Sequence, residues 1–445
     1  MQRSHIKNIF FVKVARWFLW VLIFTCSLPL KASEIADLSK LLHKLESISP
    51  QLKADKANAD ASKAGIDKAS SAYMGNINFY GRDIHYKNNR LVSPISPPID
   101  FSQAPIDRNQ YSYGASLSLP LDISGKITAK VHEQQHLNRA ANFAVEDSRL
   151  QLFSQAVFLY RSLQRLTGTH EALLKQHQAL AKHYDITETA IRVGRLAKVE
   201  LLRIKAEIKA VEGQLAMVDG DEARLRANLA ALLNQDQYTK MILMGTNTPN
   251  HQSIVNDSTL TKRPDIQRAE SLTGAQKESL KGAYRDWLPS LTIQADIFQS
   301  SGYNGERDDD WSVIAQLDWE LWDGGLRKAQ INQASARKRA IKQQKILVAN
   351  RAKAEFDAAR AAWTAAQLQF YAGEAGLKAA IETETIQSDR YQNGRISSVD
   401  LLDAESALAQ ARANLSGALA AWWLADDQLH LAIGQEPSAY HLKAQ

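Results

Sequence analysis

Residues 111–125 read YSYGASLSLPLDISG, and residues 311–325 read WSVIAQLDWELWDGG. They stand 200 positions apart and follow one plan. In the first, Tyr111, Tyr113, Ala115, Leu117, Leu119 and Leu121 are apolar, while Ser112, Gly114, Ser116 and Ser118 between them are small or polar. In the second, Trp311, Val313, Ala315, Leu317, Trp319 and Leu321 alternate with Ser312, Gln316, Asp318 and Glu320, with Ile314 as a break in the pattern. An apolar residue at every second position predicts a strand with one greasy side. Short segments with aromatics near their ends suit a membrane barrel. A soluble sheet lying on helices would show the same alternation.

The match runs outward from these stretches. Shifted by 200 residues, Gly194-Arg195 falls on Gly394-Arg395, Val199, Leu201 and Leu202 fall on Val399, Leu401 and Leu402, and Gln235 falls on Gln435, all without a gap. Upstream, Ile77-Asn78-Phe79 takes the part of Leu291-Thr292-Ile293. Such self-similarity predicts one structural unit written twice. Each copy reads helix, strand, loop, strand, long helix, turn, helix. The expected loops are 82–109, with Pro94, Pro97, Pro98 and Pro105, and 300–310, with Gly302, Gly305 and Asp308 to Asp310.

No proline interrupts residues 125–192 or 325–392, so each of these 68-residue stretches predicts a helix, about 100 Å long at 1.5 Å per residue. Each ends at a Gly-Arg turn and returns through a shorter helix, 198–234 or 398–434. The first return is expected to be prolonged by 264–287 and the second by an N-terminal helix over 34–72. Ala358-Ala359, Ala361-Ala362 and Ala365-Ala366 mark a close-packing face, as for helices packed on both sides in a wall. The fold class is therefore mainly α with a small β part. Four strands cannot close a barrel, and open edges are not tolerated in lipid. Three chains would supply 12 strands, an allowed number for an outer-membrane barrel completed by trimerisation and joined to a long α-helical barrel.

The ends read differently. Arg3, Lys7, Lys13 and Arg16 precede a mostly apolar run from Trp17 to Leu30, and Leu30-Lys31-Ala32 ends on a small residue. This predicts a secretory signal peptide over 1–32, its apolar run shorter than the roughly 20 residues of a spanning helix. Cys26, the only cysteine, lies within it; Thr25 before it is not the small residue expected ahead of a lipidated cysteine, which favours cleavage after Ala32. Without the leader's five Lys/Arg the chain carries 49 basic against 48 acidic residues, which gives no ground for a nucleic-acid partner. The expected organisation is a first repeat over 33–235, an equatorial linker over 236–262, a second repeat over 263–435 and a tail over 436–445.

Four motifs complete the reading. Leu321-Trp322-Asp323-Gly324-Gly325, with Leu121-Asp122-Ile123-Ser124-Gly125 as its weaker copy, closes the strands. Arg263-Pro264-Asp265-Ile266, followed by Ala269-Glu270, opens the second half. Tyr391-Gln392-Asn393-Gly394-Arg395, with Val399-Asp400-Leu401-Leu402-Asp403-Ala404 behind it, marks one hairpin tip, and Val193-Gly194-Arg195-Leu196 marks the other. In this order and spacing they resemble the TolC-like outer-membrane efflux and secretion ducts over essentially the whole mature chain. The resemblance implies a homotrimer in the outer membrane of a Gram-negative bacterium, with a periplasmic tunnel docking an inner-membrane pump through a periplasmic adaptor. It implies export without chemical change, for drugs, metals or secreted proteins alike. It also implies that Asp400 and Asp403 line a narrow entrance as acidic rings, and that Tyr391 and Arg395 belong to a polar lock. Val193, Gly194, Arg195, Leu196 and Gly394 fall at the tips where an adaptor would dock. In the first copy Glu200 and Arg203 stand at the positions of Asp400 and Asp403.

One motif points elsewhere. His132-Glu133-Gln134-Gln135-His136 places two histidines at i and i+4 with a glutamate beside the first, as in zinc peptidases. A third-ligand segment does not follow, and the second copy has Asn332, Gln333 and Ala336 there; adventitious metal binding by the two histidines is the better reading. Phosphate-binding loops, dinucleotide fingerprints and nucleophile elbows are absent from the sequence. No enzyme activity and no cofactor are expected. A periplasmic coiled-coil protein that never enters the membrane is the main alternative, and a sustained heptad without strands would have marked it.

Overall fold

The computed structural model describes residues 38–95, 97, 104–235, 248–249, 257–305 and 307–441. The expected signal peptide and most of the linker over 236–262 lie outside them. The helices are α1 (Leu38–Ile48), α2 (Pro50–Ser70), α3 (Lys126–Arg192), α4 (Lys198–Leu232), α5 (Pro264–Arg285), α6 (Leu326–Gln392) and α7 (Ser398–Ala432). The strands are β1 (Asn76–Leu91), β2 (Ile106–Leu121), β3 (Ser290–Gly302) and β4 (Arg307–Asp318). No helix among the described residues is long and apolar enough to cross a membrane.

The strands form one antiparallel sheet in the order β1-β2-β3-β4. Its register displays the repeat: Ile77 pairs with Leu117, and Leu291 pairs with Leu317. Strand pairing runs further than the apolar pattern. Arg82 to Leu91 and Ile106 to Asn109, expected as loop, are strand, with the register shifting between His85 and Arg90. Asp308 to Asp310 likewise pair with Phe298 to Ser300. Ladder hydrogen bonds come from the backbone, so polar side chains extend a strand wherever water meets both faces. The greasy side is exposed on the single chain: Phe79 is 88% exposed and Trp311 70%.

Two buttresses join sheet to rod. The long helices begin at Gly125 and Gly325, both left-handed in backbone, and their first amides would be orphaned without partners. Asp122 accepts from the amides of Ile127 (2.9 Å) and Thr128 (2.8 Å). Asp323 accepts from the amides of Arg327 (2.8 Å) and Gly325 (2.9 Å) and from the Arg327 guanidinium (2.7 Å). Those bonds, the Arg327 amide first, hold the Asp323 carboxyl down at about 2.

The helices form a wall of four staves. α3 and α6, 67 residues each, run its full length. α5 and α7 both lie between them, while α2 and α4 both pack on the other flank of α3. This corrects the expected pairing of short helices. α7, not α4, is prolonged by α5: Arg263, just ahead of α5, donates to the Ala432 carbonyl at the end of α7 (2.8 Å). α4 instead ends against α1, where Leu225, Leu229 and Leu233 join Leu38, Leu41, Leu42, Leu45, Phe153 and Tyr160 in one core. A guanidinium at a helix C-terminus satisfies carbonyls that lack partners, so the junction is fixed by chemistry rather than chain order. The expected single N-terminal helix is broken at Ser49-Pro50, where the Ser49 hydroxyl caps α2 and proline occupies its first turn. Of the alanine face on α6, Ala359 and Ala366 pack toward α7, while Ala358, Ala361, Ala362 and Ala365 stay exposed on the single chain.

Candidate functional site: the paired hairpin tips

At the end far from the sheet, α3 turns into α4 and α6 turns into α7 through one construction. The Gly194 amide donates to Ile191 and the Arg195 amide to Ala190, each at 2.9 Å; the Gly394 amide donates to Tyr391 (2.9 Å) and the Arg395 amide to Arg390 (2.8 Å). This double bond pattern ends a helix on a left-handed residue, and Gly194 and Gly394 have φ of +76° and +68°. Arg195 and Arg395 are exposed, Val193 is 63% exposed and Leu196 is half-buried.

Three polar contacts tie the first hairpin to the second. The hydroxyls of Thr187 and Tyr391 lie 2.7 Å apart, both residues buried. The Ser398 amide at the start of α7 donates to Glu200 Oε2 (3.1 Å), so the first hairpin caps a helix of the second. Deeper by about two turns, His183 Nε2 meets Glu405 Oε1 at 3.0 Å, and the His183 ring stands edge-on to Tyr391. Burial, only partly offset by the Thr187 hydroxyl, raises the Tyr391 phenol above its ordinary value, so it stays neutral.

The sequence-predicted residues divide. Tyr391 is in the inter-hairpin contact. Asp400 accepts from the Ser397 amide (3.1 Å) and hydroxyl (2.9 Å) at the start of α7, and both Asp400 and Asp403 are exposed on the single chain. His132 and His136 lie far from this region, near the top of α3. His132 Nδ1 is 3.9 Å from Glu278, and His136 packs against Gly274. Among the described residues they join no group of three potential metal ligands; His183, Glu384 and Glu405 do. Thr187, His183, Glu384, Glu405 and Ser398 were not singled out from sequence. Their counterparts at the 200-residue shift are Gln387, Thr383, Tyr184, Lys205 and Lys198. Departure from the repeat is the signal that would have found them.

A full-length helical wall, two hairpins in contact at their tips and an open sheet with a greasy face define an outer-membrane channel protomer. The chain belongs to the outer membrane efflux protein family, whose model matches residues 41–235 and 255–435. Structures of this fold complete their helical and β-barrels by trimerisation. Nodulation protein T of Rhizobium leguminosarum bv. trifolii is 24% identical over 310 residues, 66% of this chain and 65% of that relative's length. The cation efflux system protein CusC of Escherichia coli K12 is 24% identical over 351 residues, 73% of each. The fold superimposes on the outer membrane protein VceC of Vibrio cholerae with a TM-score of 0.78 at 21% identity, covering 90% of this chain and 96% of that one.

Proposed function

We propose that this chain is the outer-membrane exit duct of a tripartite efflux or type I secretion system, passing substrates unchanged from an inner-membrane pump across the periplasm and outer membrane. The observation that carries this is the sheet. Its aromatic side is exposed, as Phe79 and Trp311 show, and its edge strands β1 and β4 lack outer neighbours among the described residues. Such a sheet is a liability in water. Three copies joined edge to edge remove every open edge and turn the aromatic side to lipid.

The same symmetry supports roles at the tip. Three copies of Asp400 and Asp403 around an axis make two rings of carboxylates, a constriction that favours cations and repels anions. The contacts from Thr187 to Tyr391 and from Glu200 to Ser398 hold this entrance closed. Val193, Leu196 and the two Gly-Arg turns form the surface for a periplasmic adaptor. A coiled-coil protein remaining in the periplasm gives no use to the exposed sheet, and among the described residues His132, Glu133 and His136 join no group of three potential metal ligands.

The test is deletion of the gene, followed by a toxicity panel of drugs and metal ions and a comparison of secreted proteins. The duct reading expects heightened sensitivity or a lost secreted protein, restored by the wild-type gene. Unchanged tolerance and unchanged secretion, with the partner pump expressed, would refute it.

A further inference from the structure

His183 on α3, Glu384 on α6 and Glu405 on α7 come from three staves and bring one ligand atom each to within 4.8 Å of one another. His183 and Glu405 are buried and Glu384 half-buried. The arrangement is unfavourable as it stands. Two carboxylates share one imidazole, and burial together with the neighbouring Glu405 raises the Glu384 carboxyl above its ordinary value. The His183 side chain is 8% exposed, and its Nδ1 is buried without a hydrogen-bond partner. Arg412, further along α7, offsets part of the Glu384 charge from a distance. A divalent cation would neutralise both carboxylates at once and use an imidazole lone pair. One nitrogen and two oxygens suit zinc or cobalt(II); the absence of sulfur from the cluster does not suit copper(I) or silver(I).

We propose that His183, Glu384 and Glu405 form a divalent-cation site that pins the two hairpins together just above the tip. The site lies beside the Thr187–Tyr391 contact and joins the same elements, so a bound cation favours the closed entrance. Cation binding stands apart from the duct reading; its effect on opening rests on that reading.

The test uses the mature protein purified in detergent and stripped with a chelator, titrated with cobalt(II) and followed by visible absorption. One cobalt per chain is expected, displaced by zinc. His183→Ala should abolish binding, Glu384→Gln should weaken it at least tenfold, and a His132→Ala/His136→Ala double variant should leave it unchanged. Glu384→Gln alters a half-exposed side chain and decides the matter if His183→Ala does not fold. Absence of binding would overturn the proposal and leave a proton as the mediator between the carboxylates. Binding that survives Glu384→Gln at full strength, or that is lost only with His132 and His136, would overturn it equally. The readout is the isolated protein, so a failure of export leaves this result intact.

Discussion

Replacing Tyr391 with Phe removes one oxygen atom and should open the entrance. The Tyr391 hydroxyl lies 2.7 Å from that of Thr187 in a region where Tyr391 is 3% exposed and Thr187 not at all. Loss of one partner leaves the other buried and unsatisfied, which costs about 1–3 kcal/mol. If opening parts the two hairpins, as proposed above, both groups reach water and the cost falls on the closed state alone. At about 1.4 kcal/mol per factor of ten, each protomer's equilibrium shifts toward open by about 5- to 150-fold. Single-channel recording in planar bilayers reads this as a higher open fraction. Adding Thr187→Val removes the stranded hydroxyl, and replacing both partners by apolar groups is close to neutral. The Tyr391→Phe/Thr187→Val double variant should therefore close again. A Tyr391→Phe channel as closed as wild type, or a double variant as open as the single one, would refute the reasoning.

Other perturbations probe other parts. Gly394→Ala meets open space but must hold a φ of +68°, and should lose about 1–2 kcal/mol in chemical denaturation. Arg161→Met strands Asp427, which is fully buried and holds Arg161 at 2.9 Å; it should cost about 3–5 kcal/mol, and Arg161→Met/Asp427→Leu should recover most of it in thermal melts. Asp323 titrates lower in the folded chain, about 2 against 3.8, so its stabilisation is present above about pH 4 and lost as pH falls through 2. Asp323→Asn should lower the melting temperature at pH 7 and lower it much less near pH 2. Asp403→Asn should reduce cation preference, seen as a reversal potential nearer zero in a salt gradient.

Much of this architecture is legible in the residues. Leu117 and Leu317 fix strands through alternation, and the proline-free stretches after Gly125 and Gly325 fix the long staves through simple length. The strand ends at Arg82–Leu91 and Asp308–Asp310 were hidden, because polar side chains there say nothing about a backbone ladder. Chain order suggested that α5 prolongs α4, but the Arg263 guanidinium on the Ala432 carbonyl joins it to α7 instead. Tyr391 announced itself through its motif. Thr187, His183 and Glu405 did not, since a contact between two hairpins depends on how two staves are set side by side. No periodicity within either helix encodes that.

The central claim is that an incomplete barrel protomer becomes a duct only as three. The mass of the protein purified in detergent, measured by light scattering with the detergent contribution subtracted, tests it most directly. Three chains per particle, with precipitation on detergent removal, is the predicted result. A monomer stable in detergent-free buffer would contradict the account.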